Sequence, residues 1–455
     1  MLEDVVIRNT WNRNSFPDIP EEAEKIVLDV PDDQDENNDD ANKGLQYPMR
    51  EIAKFVIPLF ENDPSIKLTE EQSKALHKIS ICKTEECGYN ASYCPNCKKI
   101  TIHTSSCNNR NCPNCQSLDA DAWIENKAAE TIEGISYFHG VGTTPSELIP
   151  LYNANRRELY GLHMRTCAAA VVQLSRDQKH GGFTPAILST FHPNGSEMLD
   201  HPHVHMVISG GGLTRFNTFA EASHKSFFLP QEVVASVFKG MFMNELKKTY
   251  AKNELMFPSP ELFIPYLGRP VDLNDPIEWL NYVSHLYNDS WKFYIKETFN
   301  EHGNAIRYLG RYVYRTAISN SRIVSTELIS TDEHPEGWVV FKYKDYRNGG
   351  KWEEKGLSAR DFILRFLRHV MPKGFCRVRS FGILANSIKK KSLMRIAELR
   401  STVYLISCVH GKSKAQIIAI LYGRDVCSCS ECGHKLFQIN RLLPGEVIRL
   451  PKMAC

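Results

Sequence analysis

No run of about 18 uninterrupted apolar residues appears in the 455-residue sequence, so it offers no candidate for a membrane-spanning helix. The opening segment, MLEDVVIRNTWNRN, has neither the basic nor the apolar region of a signal peptide, and a cytoplasmic protein with no membrane partner is expected. Internal repeats of about 20 to 50 residues are also lacking, which argues against a solenoid. Net charge is nearly absent at +2, yet this sum hides a separation. Residues 1–43 hold thirteen Asp/Glu against four Lys/Arg, leaving a body that carries +11 and could bind polyanions. The stretch DVPDDQDENNDDANKG has no apolar periodicity and is expected to be a disordered extension. With 42% hydrophobic residues, the remainder can bury the cores of two or three domains.

Cysteine is not scarce: there are fourteen, which in a cytoplasmic chain points to metal rather than disulfides. The segment CKTEECGYNASYCPNCKKITIHTSSCNNRNCPNCQ contains two Cys-Pro-Asn-Cys knuckles, Cys94/Cys97 and Cys112/Cys115. Two-residue spacing lets both thiolates of a knuckle reach one ion, and two knuckles complete a tetrahedral site. One structural Zn²⁺ is expected on Cys94, Cys97, Cys112 and Cys115. Cys82, Cys87, His103 and Cys107 are candidates for a second site, and an interleaved assignment is equally open. Four thiolates leave no position for a water, so these sites are structural rather than catalytic. Lys98, Lys99, Arg110 and the Asn-rich loop suit a nucleic-acid contact. Further on, CSCSECGHK offers Cys427, Cys429, Cys432 and His434, a single knuckle without an evident partner and as consistent with a surface turn as with a metal site.

Hydrophobic periodicity predicts two amphipathic helices between residues 44 and 80, the second beginning at Thr69 as N-cap. Strand-like ISYFHGVGTT, long helical patterns through SELIPLYNANRRELYGLHMRTCAAAVVQLSRDQ, and the strands GFTPAILSTF and HPHVHMVISGGG follow. This order predicts an α+β fold, a largely antiparallel sheet covered by helices on one face. DPIEWLNYVSHLYNDSWKFYIKETF reads as helix, as does AIRYLGRYVYRTAI. GWVVFKYKDYRNGGKWEEKGLS reads as a hairpin and ARDFILRFLRHVMP as an amphipathic helix.

Two constellations carry chemistry. In HPHVHMVIS, His201, His203 and His205 alternate with apolar residues and therefore share one strand face, the arrangement of satisfied core histidines or of ligands for a divalent ion. In RYLGRYVYR, Tyr308 and Tyr312 stand one helical turn apart beside a row of Arg307, Arg311 and Arg315. Such a pair is ordinarily an aromatic core stripe. Next to guanidinium groups and a bound cation, however, a phenol can attack a phosphodiester.

In combination the chain resembles the double-tyrosine HUH transposases of the insertion-sequence ninety-one group. The resemblance runs from about residue 80 to 395, through SSCNNRNCPNCQ, YFHGVGTTPSEL, HPHVHMVISGGGL, YLGRYVYRTAISNSRI, VVFKYKDYRNG and FILRFLRHVMPKGFCRVRSFGILAN. It implies an HUH endonuclease-like antiparallel sheet with helices, preceded by a small cysteine-rich zinc domain. It further implies a DNA-associated prokaryotic nickase and strand transferase acting on single-stranded DNA at transposon ends and target. His203 and His205 match the His-hydrophobic-His pair that binds Mg²⁺ or Mn²⁺, and Tyr308 and Tyr312 match the paired nucleophiles. The loop STFHPNGSEMLDHPH is longer than the family pattern and leaves the third ligand open: His201 shares the face, whereas Pro202 can twist it away. Arg311, Arg315, Asn320, Arg322, Lys344, Arg365, Arg368, Arg377 and Arg379 are candidate DNA contacts.

The corresponding organisation is an acidic extension (1–43), a helical and zinc-binding domain (44–128), an HUH catalytic domain (129–325), a hairpin and helix DNA-binding extension (326–400), and a carboxy-terminal segment with a candidate zinc knuckle (401–455). Competing readings are a plasmid or phage rolling-circle replication initiator or relaxase, a zinc hydrolase that activates water on the histidine strand, and a non-catalytic zinc DNA-binding protein.

Overall fold

The computed structural model describes residues 7–8, 46–222, 229–258, 262–264, 269–299, 306, 310, 313, 316–345 and 348–442. Apart from Ile7 and Arg8, the acidic extension lies outside the described residues.

Helices α1 (Pro48–Glu61) and α2 (Glu70–Ser80) open the described chain. α1 buries Met49, Ile52, Ala53, Val56 and Phe60, one face at helical spacing. As expected, α2 starts at Thr69: its hydroxyl accepts from the Gln72 amide while the Gln72 side chain accepts from the Thr69 amide. Such a box satisfies two otherwise orphaned amide donors and is worth about 1 kcal/mol. A hairpin of β1 (Tyr89–Tyr93) and β2 (Ile100–Thr104) follows, then α3 (Ser117–Ala128).

The central elements are β3 (Tyr137–Thr143), α4 (Arg156–Ser175), β4 (Phe183–Asn194), β5 (Asp200–Thr214), α5 (Gln231–Ala251), α6 (Pro276–Asn288) and β6 (Lys292–Phe299). Next come β7 (Ile323–Glu327), β8 (Trp338–Asp345), β9 (Lys351–Ser358), α7 (Ala359–Arg368), β10 (Val378–Gly382), α8 (Lys389–Leu399), α9 (Lys414–Tyr422) and β11 (Phe437–Leu442).

The main sheet runs β6-β3-β5-β4-β10 with every neighbouring pair antiparallel, so the fold is α+β as expected. Alternation on β5 sends Val204, Met206 and Ile208 into a core with α4 and α5, where each side chain contributes about 1.5–3 kcal/mol of burial. The opposite face carries His203, His205 and Val207. It is not open: Ile306 and, from α8, Leu393 and Ile396 pack on Tyr137, Leu188 and Val207. Helical cover on both faces corrects the one-face expectation, and it follows from the histidine face being apolar beyond the histidines, at Tyr137, Ala186, Leu188 and Val207. The three glycines that close β5 let other chain segments approach: an added Cβ would lie 3.0 Å from the Ser136 carbonyl at Gly210 and 2.0 Å from the Thr184 carbonyl at Gly212.

Two strands differ from the sequence reading. The helix expected through DPIEWLNYVSHLYNDSWKFYIKETF stops at Asn288, and Lys292–Phe299 becomes an edge strand with Phe293 and Ile295 buried and Tyr294 exposed. Its period of two is a strand pattern that the preceding helical run masked. β10, from the 326–400 region, pairs with β4 and so belongs to the main sheet. The β8–β9 hairpin and α7 form a second core with α1 and α2. α9 docks on α3, where the Tyr422 hydroxyl meets Asp121 and Lys414 pairs with Asp119 at 3.2 Å. Among the described residues no helix is long and apolar enough to cross a membrane.

Candidate functional site

β4 and β5 place three imidazoles together. His192 lies opposite His203 in the strand register and Thr190 opposite His205. The ligand nitrogens of His192, His203 and His205 lie within 4.8 Å of one another. His203 donates from Nδ1 to the His201 carbonyl at 2.6 Å, which leaves its Nε2 unprotonated and 3.1 Å from Nε2 of His205. Nδ1 of His205 in turn stands 2.9 Å from Nε2 of buried His139 on β3, with the rings stacked. If His205 donates this proton to His139, both Nε2 lone pairs face one point, and a cation between them removes their repulsion. Adjacent ligands about 2.1 Å from one octahedral ion stand about 3 Å apart, and the His203–His205 pair has the spacing that Mg²⁺ or Mn²⁺ would need.

The third imidazole of this cluster is His192; His201 lines the adjoining cavity but is not in the cluster. His201 is exposed; its carbonyl fixes the His203 tautomer, and its ring is absent from the three-nitrogen cluster. The sequence reading did not single out His192, because the two histidine-bearing strands are joined by the long loop 195–199, nor His139, which meets His205 from a third strand.

The histidines open into a cavity of about 260 Å³ that is also lined by Asn111, Asn194, Thr316, His369 and Arg377. Both polar side-chain atoms of Asn194 are buried at its wall without a protein hydrogen-bond partner, so that wall is ready to accept a polar ligand. Tyr308, Tyr312, Arg311 and Arg315 lie outside the described residues, as does Arg307. Their described neighbours are informative: Ile306 and Val313 are helical and pack in the core on the histidine face of the sheet, while Thr316 and Ala317 line the histidine cavity.

The remaining candidate DNA contacts divide. Arg377 lines the cavity. Arg379 falls on the other side of the sheet, beside Gly161, donating to the Cys376 carbonyl at 3.2 Å, with burial and then Arg165 lowering its pKa. Arg322 donates to the carbonyls of Lys342 (2.8 Å) and Ser196 (2.6 Å), so it anchors the cavity loop rather than presenting a free fork. Asn320 donates to Asn114 of the cysteine loop. Lys344 lies 5.3 Å from the ring of half-exposed Trp352, which the sequence reading passed over. Arg368 is exposed, 3.7 Å from Asp200, and Arg365 is half-buried.

The cysteines are sorted differently from the expectation. Cys82, Cys107, Cys112 and Cys115 form one cluster, and Cys94 and Cys97 join Cys429 and Cys432 in another. The reason is the β1–β2 hairpin. Cys94 and Cys97 occupy its turn, whereas Cys82 and Cys107 flank its open end, about 17 Å of strand away. Cys87 and His103 belong to neither cluster, and His103 is exposed on β2. The first cluster sits in the second core, and Asn111 projects from its loop to the histidine cavity.

Comparison with known proteins assigns the chain to a family. Residues 186–392 match the family described as "Putative transposase", and residues 56–144 match the family described as "Transposase zinc-binding domain". "Putative transposase y4qJ" of Sinorhizobium fredii is 32% identical over 332 residues, covering 73% of this chain and 79% of that protein. The chain belongs to the insertion-sequence ninety-one transposase family. "Transposase for insertion sequence element IS801" of Pseudomonas savastanoi pv. phaseolicola is another relative of this transposase, 24% identical over 73% of this chain and 74% of its own length. No solved structure matches. The zinc-binding family match and the Cys82/Cys107/Cys112/Cys115 cluster together support structural Zn²⁺ in this transposase.

Proposed function

We propose that the transposase has an HUH-type catalytic domain that nicks and rejoins single-stranded DNA through 5′-phosphotyrosine intermediates in rolling-circle transposition. The observation that carries this reading is the shared face: the described residues on either side of the tyrosine pair pack on the histidine side of the sheet or line the histidine cavity. His192, His203 and His205 would hold Mg²⁺ or Mn²⁺, which when bound polarises the scissile phosphate.

Tyr308 or Tyr312 supplies the phenolic oxygen that bonds to phosphorus. The P–O3′ bond breaks, the phenol proton is lost, and the leaving oxyanion becomes a 3′-hydroxyl. The phosphotyrosine bond conserves the energy of the phosphodiester, and a second tyrosine four residues along the sequence can act on the other end while the first remains linked. Arg377 and the Asn111 amide, both on the cavity wall, would orient the phosphate and neutralise its charge.

The test is denaturing electrophoresis of the protein incubated with end-labelled single-stranded transposon-end DNA and Mn²⁺. A covalent adduct that survives denaturation, and that disappears when Tyr308→Phe and Tyr312→Phe are combined, is expected. DNA cleavage that persists in this double variant without an adduct would instead identify water as the nucleophile and a metal-dependent hydrolase. DNA binding with neither adduct nor cleavage would identify a non-catalytic binding protein.

A further inference from the structure

The CSCSEC segment plays no part in the histidine chemistry and lies outside both family matches, yet its cysteines are not on a free turn. We propose that Cys94, Cys97, Cys429 and Cys432 bind a second structural Zn²⁺, which locks the carboxy-terminal segment onto the amino-terminal hairpin as one zinc ribbon. This inference is independent of the strand-transfer reading.

Four observations meet at this point. The four sulfurs lie within 4.8 Å of one another, and Cys94 Sγ stands 3.5 Å from Cys432 Sγ across 338 residues of sequence. That separation is far beyond a disulfide bond of about 2.05 Å. It is close to the spacing of about 3.8 Å between thiolates that share a tetrahedral Zn²⁺ at about 2.3 Å.

The two turns also match each other. The residue after the second cysteine of each is left-handed, Lys98 at φ 55° and Gly433 at φ 72°. In the other Cys-Pro-Asn-Cys turn the equivalent residue, Gln116, has φ −110°. The identical sequence motif has thus taken a different backbone, and the site at the hairpin tip is built from the two turns that agree in shape rather than in sequence.

Backbone pairing fixes the arrangement. β11 pairs antiparallel with β1, setting Phe437 opposite Tyr93, so the sheet order is β11-β1-β2. The Cys429 amide donates to the His434 carbonyl at 2.8 Å, and the Gly433 amide to the Cys429 carbonyl at 2.9 Å, closing the second turn. Charge agrees as well. Four thiolates around Zn²⁺ leave a net −2, and Lys98 and Lys99 follow directly after Cys97, with Lys99 bridged to Glu431 of the opposite turn. Cys427 and His434 are excluded, because neither joins the four-sulfur cluster.

Zinc per full-length chain, measured by elemental mass spectrometry, tests the proposal. Two ions are expected in the wild type and one in each of Cys94→Ser, Cys432→Ser and their double variant, since both residues serve the same ion. Cys112→Ser combined with Cys432→Ser should hold none, whereas Cys427→Ser should keep two. Two ions in Cys432→Ser, or none in the Cys94→Ser/Cys432→Ser double variant, would overturn the assignment. A wild-type measurement guards against variants that fail to fold: Cys94, Cys97, Cys429 and Cys432 should resist iodoacetamide until a chelator is added. Equal alkylation of Cys429 and Cys432 with and without chelator would also overturn it.

Discussion

His192 and His203 are register partners on adjacent antiparallel strands, their ring centroids 5.3 Å apart, and His205 completes the cluster from the next residue on the same face of β5. A cation held here is bound by two strands, so its affinity depends on their register. His192→Ala is expected to lower Mn²⁺-dependent DNA cleavage by at least about 100-fold, whereas His201→Ala, which keeps the backbone carbonyl, should stay within about threefold. Cleavage rates across a Mn²⁺ titration check this, and equal losses in both variants would reject His192 as the third ligand.

His139 meets the cluster at His205. His139→Leu should raise the Mn²⁺ concentration needed for half-maximal cleavage by about 10–100-fold, with much of the rate recovered at saturating metal. A fall in the saturated rate without a shift in metal requirement would contradict its positioning role.

Asn111 links a structural cysteine cluster to the histidine cavity. Its amide and backbone N–H both bond to Asn109 Oδ1, at 3.1 and 2.9 Å, so the loop around Cys107 and Cys112 fixes it. Asn111→Ala is predicted to slow cleavage by about tenfold while leaving zinc content unchanged. Zinc loss in parallel with activity would show that the residue serves only the loop.

His163 gives stability a defined pH dependence. It is fully buried, accepts from the Tyr152 hydroxyl at 2.9 Å and donates to the Gly142 carbonyl at 3.1 Å. Burial pushes its pKa down to about 3 from an ordinary 6.5. Below pH 6.5 the unfolded chain gains a proton that the folded chain refuses. The contribution is therefore complete above 6.5 and is lost as pH falls towards 3, by up to about 1.4 kcal/mol per pH unit. Denaturant melts between pH 4 and 7 should show a shallower slope in His163→Gln than in the wild type.

Gly212 has no room for a side chain, since an added Cβ would stand 2.0 Å from the Thr184 carbonyl. Gly212→Ala should cost about 1–3 kcal/mol in denaturant melts through displacement of β4 against β5. An unchanged midpoint would mean that the strand end yields freely.

The parts of this architecture legible in the sequence are those set by local periodicity. Alternation alone put His203 and His205 on one face of β5, and the Thr69 cap was visible from its neighbours. Pairings made through space were not legible. Nothing in the spacing of STFHPNGSEMLDHPH reveals that His192 will stand opposite His203, because strand register and the intervening loop decide it. Likewise two identical Cys-Pro-Asn-Cys turns invite each other as partners, and only the length of the hairpin between them keeps them apart. In Lys292–Phe299 the strand signal was present, with Phe293 and Ile295 alternating against Tyr294 and Lys296, but the strong helical pattern before Asp289 overshadowed it.

The pairing of β11 with β1 also bears on the order of synthesis. A ribosome makes the edge of Tyr89–Tyr93 early and its cover, Phe437–Leu442, only after the whole central sheet has been translated. During that interval the hairpin presents an uncovered strand edge of the kind that recruits other chains. A message broken before codon 437 therefore yields a product that keeps this edge, so incomplete copies are the ones most exposed to aggregation and clearance.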